Sequence, residues 1–447
     1  MIVEQHYLDC LSQASYLVVD GDVAVVIDPR RDVDVYLEAA VKHDAVIRHV
    51  LLTHMHADFV AGHLELAERT GAKIYVGRHA GATYAHEPVD EGRLLEFGDV
   101  RIDALDTPGH TPEGISYVLS RPGEPPHAVF TGDTLFVGDV GRPDLMSSVG
   151  HAADELARDL YRSLHDKLMT LPDETLVYPG HGAGSMCGKN LSSDTTSTIG
   201  RERRTNHALA YADVDAFVAG VTADQPAAPA YFAHDAVMNR SERGTLDEAL
   251  ATGAQALDLD RVLALVADGA RVLDVRDAES FAAAHLASST NVPLGGRFAS
   301  WVGTVLFDAP RLVIVASPGD EREATLRLGR VGLDRVVGYL AKGPAAWAER
   351  PEVVRSIQRV DWDQVTSRVL DVRQPGEWEA GHVDGALHVP LGELEARLDE
   401  LPRDEPLAVV CASSYRSSIA ASLLARHGFE NLVDVRGGMQ ARAAAAR

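Results

Sequence analysis

Short apolar runs with the length and β-branched composition of strands recur through roughly the first 215 residues. Between some of them, apolar positions recur every three or four residues, which is typical of helices. The predicted strands are Tyr16–Val19, Val23–Ile27, His49–Leu52, Lys73–Val76, Ile115–Leu119 and Ala128–Phe130, and the predicted helices are Val35–Lys42, Gly62–Arg69 and Ala152–Leu168. This mixture predicts an α/β fold.

The remainder of the chain contains two copies of one pattern. Residues 271–294 read RVLDVRDAESFAAAHLASSTNVPL, residues 368–391 read RVLDVRQPGEWEAGHVDGALHVPL, and 11 of the 24 positions are identical. In each copy an apolar run follows, at 312–317 and 407–412, and leads into a helical pattern at 321–331 and 417–427. The offset of 97 residues is the length of a domain. We therefore expect a domain at 1–250, whose residues 220–250 form a connection, and two related α/β domains at 255–350 and 358–447.

Composition narrows the class of protein. The chain is 46% hydrophobic and 24% charged, as in ordinary globular proteins. Its formal charge of −24 disfavours nucleic acid as a partner. We find neither an apolar segment of membrane-spanning length nor the features of a signal peptide. With three cysteines, no disulfide framework is expected. We expect a cytoplasmic protein that binds neither nucleic acid nor membranes.

Four loops, each directly after a strand-like run, carry imidazole or carboxylate groups. Together the segments THMHAD, TPGHTP, TGDTL and PGHG contain His54, His56, Asp58, His110, Asp133 and His181. Such groups are the usual ligands of a borderline divalent metal. We expect the loops to meet at one edge of a sheet and to form a metal site there. We interpret the histidines outside these motifs as surface or core residues.

These segments resemble the metallo-β-lactamase superfamily, which implies an αββα sandwich over about residues 1–215. The family's common motif, H-x-H-x-D-H, ends in a histidine that helps to bind a second metal, but this chain has Phe59 there. The subfamily that uses one metal is the persulfide dioxygenases. That resemblance implies one Fe(II) per chain held by His54, His110 and Asp133, with His56, Asp58 and His181 as neighbours that do not bind it.

Three further residues of this region have side chains that can take part in chemistry. Arg142, in GDVGRPDL, matches a Gly-Arg-x-Asp stretch of that subfamily, which implies contact with substrate; a structural salt bridge is the alternative. Cys187 lies six residues after His181 and is either a buried thiol or a residue with a functional role. Cys10 is interpreted as structural.

In the second repeat, the apolar run ends at a cysteine. The segment is Cys411-Ala-Ser-Ser-Tyr-Arg416-Ser417, followed by a helical pattern. A helix N-terminus and a nearby arginine both favour the thiolate over the thiol. Arg416 would also bind an oxyanion substrate.

This loop and the stretch before it resemble the rhodanese sulfurtransferases, which carry sulfane sulfur on such a cysteine. Ser414 departs from many members, which have glycine there. The first repeat aligns Ala316 with Cys411 and Glu321 with Arg416. Because both chemical groups are missing, we expect an inactive middle copy.

The whole chain resembles the multidomain persulfide dioxygenase–sulfurtransferase proteins of sulfide detoxification. The expected function is oxidation of a low-molecular-weight thiol persulfide by O2 to sulfite, coupled to formation or use of thiosulfate. A homo-oligomer is expected, since this superfamily often dimerises. One alternative is a binuclear zinc thioester hydrolase of the glyoxalase II type with accessory rhodanese domains. Another is a non-catalytic sulfide sensor or scaffold.

Overall fold

The computed structural model describes residues 1–145, 150, 152–223, 225 and 228–445. The chain forms two compact units. The first comprises residues 1–246 together with residues 330–332, and the second comprises residues 247–329 and 333–447.

The first unit opens with a six-stranded sheet whose strands are adjacent in chain order. Strands β1 to β3 are antiparallel, and β3 to β6 are parallel. The elements are β1 (Ile2–Leu8), β2 (Gln13–Asp20), β3 (Val23–Ile27), α1 (Asp34–Lys42), β4 (Val46–Leu51), α2 (His63–Thr70), β5 (Lys73–Gly77) and β6 (Glu87–Val89).

A second six-stranded sheet follows, also in chain order. Its strands are β7 (Gly92–Phe97), β8 (Val100–Asp106), β9 (Ile115–Ser120), β10 (Ala128–Gly132), β11 (Leu176–Pro179) and β12 (Ser197–Thr198). The helices of this half are α3 (Ala153–Arg162), α4 (Ile199–Thr205), α5 (Val214–Thr222) and α6 (Tyr231–Arg240). The helix predicted at 152–168 is a regular α-helix only as far as Arg162, because a π-helical turn at Ser163–Lys167 follows α3.

The two sheets pack face to face, with helices on both outer faces. Alternation along β2 explains the layers, because successive side chains of a strand point to opposite faces. Tyr16 and Val18 pack with Tyr117 and Phe130 of the second sheet, whereas Leu17 lies in the core that includes α1 and α2. Helices α3, α4 and α5 cover the outer face of the second sheet. This confirms the predicted αββα sandwich.

The second unit contains two five-stranded parallel sheets, β13-β18-β17-β14-β16 and β20-β24-β23-β21-β22. If the strands of each sheet are numbered along the chain, both sheets have the order 1-5-4-2-3. The first half consists of α7 (Leu246–Gly253), β13 (Ala256–Leu257), α8 (Leu259–Ala267), β14 (Arg271–Asp274), α9 (Ala278–Ala283), β15 (His285–Leu286), β16 (Thr290–Asn291), α10 (Phe298–Val305), β17 (Leu312–Val315), α11 (Glu321–Gly329), β18 (Val336–Leu340) and β19 (Val354–Arg355). The second half consists of β20 (Gln358–Val360), β21 (Arg368–Asp371), α12 (Pro375–Glu379), β22 (Leu387–His388), β23 (Leu407–Val410), α13 (Tyr415–Arg426), β24 (Leu432–Val435) and α14 (Gly438–Ala445). The sequence repeat is therefore a repeat of topology. Separate domains at 255–350 and 358–447 stay a prediction, because both copies lie in one compact unit.

The predicted connection at 220–250 contains an ordered helix. Within α6, Tyr231, Phe232, Asp235 and Asn239 are buried, so this helix packs into the first unit. Its buried positions include polar residues, which is why the apolar pattern does not reveal it. Residues 224, 226 and 227 of the segment lie outside the described residues. Over the part of the chain that is described, no helix combines the length and the apolar character that crossing a membrane requires.

Candidate metal centre and cysteine loop

The candidate metal ligands lie just beyond the carboxyl ends of three strands. His54 follows β4, His110 follows β8 and Asp133 follows β10. The structure brings these three buried residues together, with one possible ligand atom from each within 4.8 Å of the others. The Nε2 atoms of His54 and His110 lie 3.9 and 3.5 Å from Asp133 Oδ2.

Hydrogen bonds fix which imidazole nitrogen is available to a metal. Thr53 Oγ1 donates to Asp28 Oδ2 (2.7 Å) and therefore accepts from His54 Nδ1 (3.0 Å). His110 Nδ1 donates to the carbonyl of Arg142 (2.8 Å). Because each Nδ1 carries the proton, each Nε2 presents its lone pair to the site.

The third ligand atom also lacks a competing partner. Asp133 Oδ1 accepts from His181 Nδ1 (2.8 Å), whereas the buried Oδ2 has no hydrogen-bond partner among the described residues. A buried carboxylate oxygen without a partner is costly, and a cation would satisfy it. Burial, followed by His56, holds the pKa of His54 well below its ordinary value, so this imidazole is neutral, as a ligand must be. The residues present therefore fit one divalent metal ion.

Two glycines allow the close approach of these loops. A Cβ on Gly141 would lie 1.9 Å from the carbonyl oxygen of Asp133, and a Cβ on Gly180 would lie 2.6 Å from Asp133 Oδ1. A side chain at either position would displace the ligand loop.

The predicted neighbours of the site lie beside it. His56 Nε2 donates to Asp28 Oδ1 (3.0 Å), and His181 Nε2 lies 2.8 Å from Asp58 Oδ2. Burial lowers the pKa of His181, but the carboxylates of Asp133 and Asp58 outweigh it and raise that pKa well above its usual value. The imidazole of His181 therefore lies between two carboxylates.

Cys187 completes a second group that the sequence did not reveal. Its thiol is buried with Asp58 and His181, and one atom of each lies within 4.8 Å of the others. Burial, then Asp58 and Asp133, raise the pKa of this thiol well above its usual value. The ring of Phe59 also lies near His181, with ring centroids 6.3 Å apart.

Asn239 of α6 holds the loop that carries His54. Its Nδ2 donates to the carbonyls of His56 and Phe59, and its Oδ1 accepts from Ala61 N, all at 2.8 Å. The side chain is fully buried. No motif singled out this asparagine, because its partners lie about 180 residues away in the chain.

We expect Asn239→Ala to lower the free energy of unfolding of the N-terminal unit by about 2–4 kcal/mol, because three buried backbone groups lose their partner. Denaturant titration followed by circular dichroism measures the change, and retained metal after dialysis measures its effect on the site. Val237→Ala, at a position of the same helix that is 58% exposed, is the matched control. Equal stability of the two variants would contradict this role.

The backbone of Arg142 lies near the candidate ligands, since its carbonyl oxygen accepts from His110 Nδ1. Its side chain is 1% exposed and forms a two-pronged ion pair with Asp144, at 2.7 and 2.6 Å. This ion pair is the structural salt bridge that is the alternative role for Arg142, and contact of Arg142 with substrate stays a prediction.

Cys411 lies at the end of β23, in a tight loop before α13. Ser414 has φ 84°, which explains why glycine is common at this position in the rhodaneses it resembles. In this conformation Ser414 N donates to Cys411 Sγ at 3.1 Å. The backbone therefore already directs a donor at the sulfur.

Arg416 does not present a free guanidinium. Its Nη1 and Nη2 donate to the two carboxylate oxygens of Glu377, at 2.6 and 2.7 Å. The equivalent position of the middle copy, Glu321, begins α11 and accepts from Gly319 N (2.9 Å). Ala316 directly follows β17, just as Cys411 directly follows β23.

Comparison with known proteins agrees with this architecture. The sequence profile of the metallo-beta-lactamase superfamily matches residues 8–181, and that of the rhodanese-like domain matches residues 352–445. A crystal structure of a metallo-beta-lactamase from Staphylococcus aureus is 32% identical, with a TM-score of 0.67; the match covers 76% of this chain and 98% of that one. The chain belongs to the metallo-β-lactamase superfamily.

Curated relatives within this superfamily differ in activity. The cytoplasmic hydroxyacylglutathione hydrolase of Arabidopsis thaliana is 38% identical over 184 residues, which are 39% of this chain. The mitochondrial persulfide dioxygenase ETHE1 of Homo sapiens is 31% identical over 195 residues, or 42% of this chain. The chain covers 66% of the length of each.

Proposed function

We propose that the first unit is an iron-dependent persulfide dioxygenase. The observation that carries this proposal is the set of two Nε2 atoms and one carboxylate oxygen of His54, His110 and Asp133, beside a phenylalanine where a second-site imidazole would stand. Two histidines and one carboxylate with open positions are typical of non-haem Fe(II) oxygenases. The similarity to human persulfide dioxygenase supports the same activity.

In the proposed reaction, R–S–SH, O2 and water give R–SH, sulfite and two protons. A ferrous ion would supply redox chemistry with O2, which zinc lacks. Asp28, through Thr53, holds His54 in its metal-binding tautomer. His181 Nδ1 donates to Asp133 Oδ1, which leaves Oδ2 to face the ligand position, and His181 Nε2 lies beside Asp58.

The C-terminal copy is the proposed sulfurtransferase, with Cys411 as the carrier of sulfane sulfur. The rhodanese-like match at residues 352–445 supports it. The middle copy is proposed to be catalytically silent, because Ala316 and Glu321 supply neither a thiol nor a cation. We further propose a cytoplasmic homo-oligomer whose substrates are a thiol persulfide, O2, and sulfite or thiosulfate.

A binuclear zinc thioester hydrolase is the second candidate. Two observations favour it: the identity of 38% to the Arabidopsis hydrolase and the group formed by Asp58, His181 and Cys187 beside the first metal position. The two candidates differ in metal content and in the need for oxygen.

We expect protein purified from iron-supplemented cells to contain about one iron per chain and little zinc, since one ligand set of this type binds one ion. Metal analysis and an oxygen electrode with a thiol persulfide, applied to the same sample, test this. Oxygen uptake should rise in proportion to iron. Two bound zinc ions per chain, with thioester hydrolysis and no oxygen uptake, would favour the hydrolase instead.

A further inference from the structure

The loop that carries Cys411 contains one cationic side chain, and that side chain is ion-paired with a carboxylate. Loop residues 412–415 are Ala, Ser, Ser and Tyr, so Arg416 supplies the only positive charge of residues 411–416. Both of its terminal nitrogens are bound to Glu377. A two-pronged arginine–carboxylate pair is the geometry in which arginine also binds oxyanions. Glu377 therefore fills the position that an oxyanion would take.

The carboxylate is itself fixed by its helix. Glu377 Oε2 accepts from the backbone N–H of Gln374 at 3.0 Å, and the two residues form a capping box at the start of α12. The neighbouring Arg373 is no substitute cation, because it is paired with Asp371 at 2.7 Å. An incoming oxyanion must therefore displace a carboxylate that the local fold holds in place.

A groove beside the loop offers room for a different kind of substrate. Its volume is about 430 Å³, and residues 413–415 form one wall. Its other walls are Asp277, Ala278, Glu279, Pro293, Arg359, Arg436 and Gly437. The organic part of a carrier thiol would fit such a groove, whereas thiosulfate or sulfite has no organic part to place there.

We propose that Glu377 determines the substrate selectivity of Cys411 by masking Arg416, so that thiol persulfides are favoured over the oxyanions thiosulfate and sulfite. This rests on the proposed role of Cys411 as sulfur carrier. Glu377 is a positioning residue, since it acts through Arg416.

Two half-reactions share the persulfide of Cys411. In the first, the Cys411 thiolate attacks the outer sulfur of R–S–SH; the new S–S bond forms as the old one breaks, and R–S⁻ leaves with the electron pair. In the second, sulfite attacks the outer sulfur of the Cys411 persulfide, thiosulfate leaves, and the thiolate is restored. No external oxidant is required. Because the second step is reversible, the pairing of Arg416 with Glu377 slows both the formation of thiosulfate from sulfite and the reverse reaction.

The test is Glu377→Gln in the full chain, which keeps the side-chain size and one acceptor but removes the negative charge. We expect the ratio of kcat/KM for thiosulfate to kcat/KM for a thiol persulfide to rise about tenfold, the effect of about one charged hydrogen bond. The KM for sulfite should fall by a similar factor. Glu379→Gln, an exposed position of the same helix, should keep the wild-type ratio.

Arg416→Ala in the Glu377→Gln background should remove the gain, because no guanidinium remains to be exposed. An unchanged ratio in Glu377→Gln, or a gain that survives Arg416→Ala, would overturn the proposal. A change in thiosulfate turnover without the parallel change in the sulfite KM would do the same. Failure of the underlying function is distinguishable: Cys411→Ser would then retain sulfur transfer from both donors.

Discussion

His110→Ala should reduce persulfide-dependent oxygen uptake by more than about 100-fold, since even changes to residues that orient metal ligands cost 10–100-fold. The side chain supplies one of three candidate ligand atoms, and its Nε2 lies 3.5 Å from Asp133 Oδ2. The variant should also bind less iron. Oxygen-electrode rates and metal analysis measure the two effects. His54→Ala and Asp133→Ala should behave in the same way.

The matched control is His79→Ala, which removes an exposed histidine of the same unit. It should keep the iron content and the oxygen uptake of the unaltered protein. If His110→Ala retained full uptake with its iron still bound, this histidine would not be a ligand, and the proposed three-residue set would be wrong. Circular dichroism of both variants excludes a general loss of the fold as the cause.

The sequence predicted that the candidate metal ligands would lie close together, because the ends of neighbouring strands meet at one edge of the fold. His54 and Asp133 follow predicted strands that correspond to β4 and β10, whereas β8, the strand before His110, was not among the strands predicted. The periodicity of a strand therefore carries information about where the residue after it will lie. The αββα layers, by contrast, were expected from the resemblance to the metallo-β-lactamase superfamily and not from the periodicity of the strands.

Other features depend on pairings that no local pattern encodes. Asn239 holds a loop about 180 residues earlier in the chain, and the sequence predicts a connection in place of its helix because buried polar positions interrupt the apolar pattern. Glu377 and Arg416 are 39 residues apart, so the sequence predicts a free charge on Arg416, whereas in the structure Glu377 pairs with it. The first is a contact from a polar side chain to the backbone and the second joins two polar side chains, and periodicity can locate neither.

The coupling between the two activities is tested by Cys411→Ser. We expect this variant to keep persulfide-dependent oxygen uptake, because the candidate iron ligands belong to the other compact unit. It should lose thiosulfate:acceptor sulfur transfer, since a serine hydroxyl has a far higher pKa than a thiol and cannot hold sulfane sulfur in an S–S bond. The two rates, measured on one preparation, separate the activities. Cys10→Ser, at a cysteine that is interpreted as structural, is the control.

The reaction products distinguish Cys411→Ser from the unaltered protein more clearly than the rates do. Supplied with a thiol persulfide and O2, the unaltered protein should accumulate thiosulfate, because the sulfite formed in the first unit meets sulfane sulfur carried on Cys411. The Cys411→Ser variant should stop at sulfite, and ion chromatography of the two reactions distinguishes these anions. Ser414 N already directs a hydrogen bond at the sulfur that would be lost. Thiosulfate formed by the variant at the unaltered rate, where the uncatalysed reaction is slow, would show that sulfur reaches sulfite without Cys411.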